Sequence, residues 1–336
     1  MDDVKPVSVI IPCRNEEKFI GKCLDSIIAQ DYPKDKLEIL VVDGMSEDGT
    51  REIVKRYMDK CPFIELLDNP KKITPCALNI GIKNAKGDII IRMDAHAKYT
   101  NNYVSKCAKY LYEYNADNVG GIWKILPREN TLINKSICLA SSSVFGAGNA
   151  YYRMGYSKGP KWADTVFGGC YKRGVFEKVG LFNENLARSQ DMEFNLRLKR
   201  AGGKILLAPD IVTYYYPKSN LKDFFLHNFE DGIWAIYPLK FVKLPLRLRH
   251  YIPLIFVLTL PLSIWPYILL SLFFSLKIAI KEKDIRLFLV MPVVFAARHL
   301  GYGIGSVIGL IRVLFSKDFW LMRFKKDTRN AQESFW

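Results

Sequence analysis

Through its first half the chain alternates apolar runs of strand length with stretches of helical periodicity. Residues 7–11, Val-Ser-Val-Ile-Ile, form a compact apolar run closed by Pro12, which has no amide hydrogen to give to a central ladder. From Glu16 onward Phe19, Ile20, Cys23, Leu24, Ile27 and Ile28 recur at helical spacing, with Asn15 as the cap and Pro33 as a stop beyond. The alternation then repeats. A second strand over 37–42 ends in Asp43, and Asp48-Gly-Thr50 opens a helix carrying Ile53, Val54, Tyr57 and Met58. Residues 64–67 form a third strand, 74–85 a helix and 88–93 a fourth strand that stops abruptly at Asp94-Ala95-His96. Such alternation implies right-handed crossovers and a mostly parallel sheet covered on both faces, which brings Asp43 and Asp94 to one edge. Ligands of open α/β sheets bind at that carboxyl edge.

Beyond this frame the pattern predicts a helix over 102–115, a strand over 119–126 and a helix over 132–145. Residues 146–174 turn to Gly, Tyr, Lys and Trp and read as a substrate-facing loop region around Phe167-Gly168-Gly169. A further helix opens at Asp191, directs Phe194, Leu196 and Leu198 inward, and closes at Gly202-Gly203 before a strand over 204–208. By position alone Asp191 is equally well placed to be that helix's N-terminal cap.

The last third is different. Residues 221–238 mix Phe, Leu and Trp with His227, Glu230 and Asp231, an amphipathic pattern suited to a membrane interface. Between His250 and Lys277 there is no charged residue, and roughly 26 positions at about 1.5 Å each exceed the ~30 Å hydrocarbon core. Pro253, Pro261 and Pro266 leave either one kinked span or a re-entrant hairpin. A second apolar stretch, 287–315, is interrupted by Arg298, His299 and Arg312 and carries Gly301, Gly303, Gly305 and Gly309. Arg298 and His299 either snorkel or face another helix, or they contact a lipid-linked diphosphate. Basic residues flank every stretch: Lys240, Lys243, Arg247 and Arg249 before, Lys277, Lys281, Lys283 and Arg286 between, Lys317, Arg323, Lys325, Lys326 and Arg329 after. Two simple spans would put the middle cluster outside, against the positive-inside rule, whereas hairpins keep all three inside with both termini cytoplasmic. The expected organisation is a catalytic domain over 1–220, an amphipathic linker over 221–250, a membrane region over 251–316 with apolar stretches 252–276 and 287–315, and a basic tail over 317–336.

Composition refines the choice of partner. Over 336 residues the formal net charge is +15, and the basic residues crowd around the apolar C-terminal stretches, which favours a membrane over nucleic acid. The seven cysteines contain no C-x-x-C pair and most fall among apolar neighbours, as buried reduced thiols do. The N-terminal residues enter a strand pattern without the basic-then-apolar profile of a cleaved signal, so catalysis is expected on the cytoplasmic side of the cell membrane. Neither a G-x-G-x-x-G turn nor a G-x-x-x-x-G-K-[ST] loop is present, which weakens dehydrogenase and P-loop readings.

Three features taken together resemble the inverting family 2 glycosyltransferases of the GT-A fold. They are Val9-Ile-Ile-Pro-Cys-Arg-Asn-Glu-Glu17 with Val41-Val-Asp43-Gly-Met-Ser-Glu-Asp-Gly-Thr50, the strand end Met93-Asp-Ala-His96, and Phe167-Gly-Gly169 followed by Gln190-Asp191. The likeness covers residues 5–215, and with the apolar C-terminus it is closest to membrane-associated exopolysaccharide enzymes of the succinoglycan glucosyltransferase type. It implies an α/β, Rossmann-like nucleotide-diphospho-sugar transferase domain followed by transmembrane helices. Pro12, Cys13, Arg14, Asn15, Glu16 and Asp43 would border the nucleotide, with Asp43 accepting from the base N–H. Asp94 would address ribose and a divalent metal, Mn2+ or Mg2+, with His96 where the family more often has the last Asp of its D-x-D; imidazole suits Mn2+ better than Mg2+. Gly168, Gly169 and Gln190 would shape the sugar and acceptor pocket, and Asp191 would be the catalytic base. The implied reaction moves a single sugar, since no Q-x-x-R-W signature of a processive synthase follows Asp191. The donor is expected to be a UDP-sugar and the acceptor a membrane-linked one, such as a polyprenyl-diphosphate glycan. A polyprenyl-phosphate sugar transferase and a non-catalytic membrane scaffold are the alternatives.

Overall fold

The computed structural model describes residues 4–148, 150–155, 159–241 and 248–317. Lys243, Arg247 and the basic tail from residue 318 lie outside the described residues.

Seven elements build the frame in the expected order: β1 (Val7–Cys13), α1 (Ile20–Ile28), β2 (Leu37–Asp43), α2 (Thr50–Met58), β3 (Ile64–Asp68), α3 (Thr74–Asn84) and β4 (Ile89–Arg92). Their strands run parallel in the order β3-β2-β1-β4, with Cys13 beside Asp43 and Asp43 beside Asp68. There follow β5 (Lys98–Tyr99), α4 (Tyr103–Glu113), β6 (Asn118–Ile125), α5 (Leu132–Ser142), α6 (Val144–Ala147), α7 (Tyr151–Met154), β7 (Lys161–Trp162), β8 (Phe167–Lys172), α8 (Gly174–Val179), α9 (Gln190–Arg200) and β9 (Ile205–Tyr215). All the strands join one α/β sheet, and β6 and β9 form another parallel pair. One apolar layer packs α1, α2 and α4 on one face through Ile20, Leu24, Ile27, Val54 and Leu111. A second packs α3, α8 and α9 on the other through Leu78, Phe176, Phe194 and Leu198. Burying each such side chain contributes about 1.5–3 kcal/mol, so the sandwich holds the strand ends in fixed register.

Two local readings change. The region 146–174 is not loop throughout: β8 lies between β4 and β6, antiparallel to both. Its glycines hide the strand, because Gly168 and Gly169 take φ of +71° and +98°, and a Cβ on Gly169 would clash with the Tyr171 hydroxyl and ring edge. The helix over 132–145 is broken at Ser143, whose hydroxyl accepts from the Gly146 amide and starts α6.

The C-terminal third forms α10 (Leu221–Ile236), α11 (Leu248–Leu258), α12 (Leu260–Glu282) and α13 (Arg286–Leu314). The apolar stretch after His250 is thus two helices, parted at Thr259, with Pro261 in the first turn of α12 where no amide hydrogen is needed. Helices α12 and α13 are long and apolar enough to cross a membrane. Leu262, Trp265, Leu269, Phe273 and Ile280 are exposed along α12. Helix α13, by contrast, lies lengthwise against α10 and also packs on α5. Its Leu287, Met291, Val294 and Phe295 share one buried cluster with Ile137 and Ala140 of α5 and Phe224 of α10. Farther along, Gly301, Gly305 and Gly309 bring it against the backbone of Phe225, Phe229 and Ile233. Lys135 of α5 pairs with Glu282 at 3.4 Å, which ties the α12–α13 turn to the same side.

Candidate active site

The carboxyl ends of β1 and β4 floor a cavity of about 220 Å³ lined by Pro12, Cys13, Arg14, Glu16, Asp94 and His96 among others. Six of the residues expected at the donor thus come together. Asn15 borders the cavity without lining it, and it does not cap α1, which starts at Ile20 without a side-chain cap. With φ of 55°, Asn15 instead latches two loops: its backbone amide donates to Ser46 Oγ at 2.8 Å and its side-chain Oδ1 accepts from the Glu47 amide at 2.9 Å.

Asp43 is fully buried, and both of its oxygens are engaged. Oδ1 accepts from Ser46 Oγ at 2.5 Å; Oδ2 accepts from the Ser46 amide at 2.9 Å and from Arg51 Nη1 at 2.7 Å. Arg51 also reaches Asp68 at 2.8 Å, joining the ends of β2 and β3. Burial, and then the neighbouring Asp43, push the Cys13 thiol up, so it stays protonated and faces Asp43 Oδ1 at 3.8 Å. The unspent acceptor on this side is Asn69: its amide Nδ2 donates to the Ile73 carbonyl, while its Oδ1, buried in the cavity wall, has no partner.

At the end of β4, Asp94 Oδ1 accepts from Arg92 Nε at 3.2 Å and forms an ion pair with Nη2 at 3.1 Å, and the Asp94 amide donates to Tyr99 Oη. His96 Nδ1 donates to Glu16 Oε1 at 3.2 Å, and that bond, first among the causes, raises the imidazole's pKa. Among the described residues no three His, Cys, Asp or Glu side chains converge as in a closed metal cage. Asp94 and His96 offer two donors, which fits an ion that takes the rest of its shell from a diphosphate and water. The carboxylate on Nδ1 orients the ring and leaves Nε2 for a ligand bond, the usual outer-shell arrangement of a metal-bound histidine.

Arg92 and His96 also line a second cavity of about 520 Å³, which Gln190 and Asp191 enter from the start of α9. Asp191 is not the cap of α9: that position belongs to Ser189 at φ 58°, and Asp191 Oδ1 accepts from the Met192 amide at 2.8 Å. Its place in the first turn puts the carboxylate at the positive end of the helix dipole. Burial works against the Arg92 charge, but Asp94 and then Asp191 outweigh it and raise its pKa; Arg92 and Asp191 line the same cavity. Gly168 and Gly169 do not line the cavity, whereas Phe167 does; the glycines shape the strand behind it.

Sequence reasoning missed Arg51, Asn69 and Arg92. Arg92 alone had a signal, since residues i and i+2 of a strand share a face and Asp94 follows it by two. The larger cavity is also lined by Arg153, Asp231, His250, Arg298 and Tyr302.

An α/β sheet of this order, with an acid–imidazole pair after β4 and a carboxylate opening α9, is the GT-A architecture of glycosyltransferases. The chain belongs to glycosyl transferase family 2, whose model matches residues 8–180, and it is a transferase enzyme. It is 30% identical, over 91% of its length and 97% of the relative's, to the dolichyl N-acetyl-alpha-D-glucosaminyl phosphate 3-beta-D-2,3-diacetamido-2,3-dideoxy-beta-D-glucuronosyltransferase of Methanococcus voltae. It is 29% identical to the succinoglycan biosynthesis protein ExoA of Rhizobium meliloti (strain 1021), over 90% of this chain and 86% of that one. Among solved structures its fold is similar to a mannosyltransferase from Pyrobaculum calidifontis in complex with GDP-Man and Mn2+, with a TM-score of 0.65 and 20% identity over 92% of this chain and 88% of that one.

Proposed function

We propose that this glycosyltransferase moves one sugar from a nucleotide-diphosphate donor, a UDP-sugar, to a membrane-linked acceptor such as a polyprenyl-diphosphate glycan, inverting the anomeric carbon. The observation that carries the reading is the meeting of two cavities at Arg92 and His96, one beside the Asp94–His96 pair and the other leading from Asp191 to the apolar helices. Residues 12–16 border the nucleotide. Asp43 fixes the loop beside them through Ser46, and a direct bond from the base to Asp43 would have to share an oxygen with Ser46 or Arg51. Asn69 Oδ1 is the acceptor open to a base N–H. A divalent ion, Mn2+ or Mg2+, held by Asp94 and His96 would offset the charge that grows on the diphosphate as the glycosidic bond breaks. Asp191 takes the proton of the acceptor hydroxyl as it attacks from the opposite face, and buried Gln190 packs beside it in the cavity wall.

The same reading seats α11 and α12 in the cell membrane as a re-entrant hairpin and lays the unbroken helix α13 along its cytoplasmic face, with the catalytic half and both chain ends cytoplasmic. The Lys135–Glu282 pair supports it, because it holds the turn carrying Lys281, Lys283 and Arg286 on the catalytic side, as the positive-inside rule asks. A Lys283→Cys variant should stay unlabelled by an impermeant thiol reagent applied to intact cells; labelling would remove the hairpin. For the chemistry, purified full-length enzyme is offered a panel of nucleotide-sugars with a polyprenyl-diphosphate-sugar primer. Release of nucleoside diphosphate with elongation of the primer is expected for one donor, and release from none would overturn the proposal.

A further inference from the structure

The larger cavity carries more positive charge than sugar transfer at Asp191 requires. Its acids are Asp191 and Asp231, against four arginines: Arg92, Arg153, Arg188 and Arg298. Arg92 is paired with Asp94, and Arg188 with Glu230 at 2.6 Å and Asp231 at 3.1 Å. Arg153 and Arg298 form no ion pair with any described residue. Arg153, on α7, donates from Nε to Tyr152 Oη at 3.1 Å and lies 4.9 Å from the centre of the Trp123 ring. Arg298, on α13, donates from Nε to the Gly146 carbonyl at 2.5 Å and lies 5.9 Å from the centre of the Phe224 ring. Each guanidinium is therefore pinned by one hydrogen bond and an aromatic face, while its terminal N–H groups meet no acceptor among the described residues.

Half-buried charge without a counter-ion is costly unless an anion meets it. Two further donors point the same way. Trp123, more than nine-tenths buried and lining this cavity, has an indole N–H with no partner, and Arg92 Nη1 is likewise buried and unpaired. Unspent donors thus converge from β4, β6, α7 and α13, elements far apart in sequence. The cavity wall also includes Ile252 and Pro253 of α11, and Ile252 belongs to the exposed apolar side of that helix, so the charged end opens beside a surface suited to a hydrocarbon chain.

We infer that Arg153 and Arg298, with the Trp123 indole N–H, form an anion subsite that receives the phosphate of a phosphorylated lipid acceptor and sets its terminal sugar before Asp191. This rests on the transfer reading given above and deepens it by assigning the acceptor headgroup to named residues. Guanidinium forks suit phosphate oxygens, which they engage in pairs, and the site joins the catalytic half to α13, where an acceptor sliding along the membrane would arrive.

The test uses the full-length protein in detergent and measures binding of farnesyl diphosphate, farnesol and inorganic diphosphate, with UDP and GDP binding in Mn2+ followed in parallel. In Arg153→Gln and Arg298→Gln, farnesyl diphosphate should bind about tenfold or more weakly, with farnesol and the nucleotide unchanged. No loss, or equal loss of farnesol and farnesyl diphosphate, overturns the subsite. Inorganic diphosphate binding as tightly as farnesyl diphosphate overturns its assignment to a lipid. Should the Gln variants lose nucleotide binding as well, Arg153→Lys and Arg298→Lys decide: weakened farnesyl diphosphate with normal nucleotide binding supports the subsite, and unchanged binding of both overturns it. If the wild type binds neither nucleotide and hydrolyses no nucleotide-sugar, the transfer reading fails, while the farnesyl diphosphate series still decides the subsite.

Discussion

Helix α13 meets α10 backbone to backbone, and that contact sets where Arg298 stands relative to Asp191. A Gly305→Ala substitution would place a Cβ 2.0 Å from the carbonyl oxygen of Phe229, although such contacts essentially never fall below 3.0 Å. The helices must part by at least about 1 Å, and a gap of that size forfeits a quarter to a half of the attraction of each atom pair across it. Overpacking of this kind costs about 1–3 kcal/mol. Against it stands the better helix propensity of alanine, about 1 kcal/mol in a helix interior. The steric cost wins, because the atom that blocks the methyl is backbone and cannot rotate away, and the net loss is up to about 2 kcal/mol. Gly21 in α1 is the internal control: there a Cβ would meet Tyr57 Oη at 3.6 Å, an ordinary contact, so Gly21→Ala should gain up to about 1 kcal/mol. Thermal unfolding of the full-length protein in one detergent reads both. Gly305→Ala should melt below wild type and Gly21→Ala above it; if both melt higher, the close α10–α13 packing is refuted.

Asp191→Asn should leave binding of the nucleoside diphosphate near normal and lower turnover by about 10²–10⁴-fold, since proton removal from the acceptor is what it deletes; turnover within a few-fold of wild type would remove Asp191 as the base. If His96 ligates the metal, His96→Ala should weaken Mn2+-dependent donor binding more than His96→Asp, measured by calorimetry, and equal losses would return it to a surface role. The Glu184 carboxyl is lowered from 4.5 to about 2, chiefly by Lys71 and then by Asn79 and Cys76. A depressed acid contributes stability above its unfolded pKa and loses that contribution as pH falls through the folded value. Glu184→Gln should therefore flatten the acid unfolding profile between pH 4.5 and 2. A profile parallel to wild type there would dismiss the pairing.

The first four strands and their helices were legible because buried parallel strands read as unbroken apolar runs closed near a proline or an acid, although β1 runs one residue past Pro12 to Cys13 and β2 takes in Asp43. The strand β8 was not, since glycines at positive φ remove the β-branched signal while the sheet around them supplies the hydrogen bonds. The break at Thr259 was half visible: Pro261 marked the start of a helix, but three prolines in one apolar stretch did not say which. Asp94 and His96 stood out as candidates from local pattern, and Asp191 from the family resemblance. Arg51 and Asn69 did not, because their roles come from partners on other strands and loops that only the folded sheet brings within reach. The pair Arg298–His299 was visible as charge in an apolar stretch; its neighbours Gly146 and Phe145, some 150 residues earlier, were not.

The lengthwise seat of α13 has a consequence for where this enzyme can exist at all. Ile137, Ala140 and Phe224 are covered by the same helix whose neighbour α12 presents its side chains to the surroundings. The catalytic half has no finished underside of its own: cut away at residue 240, it would bare that apolar floor together with the mouth of the acceptor cavity. Under the membrane placement proposed above, catalysis is therefore tied to wherever the last three helices are housed.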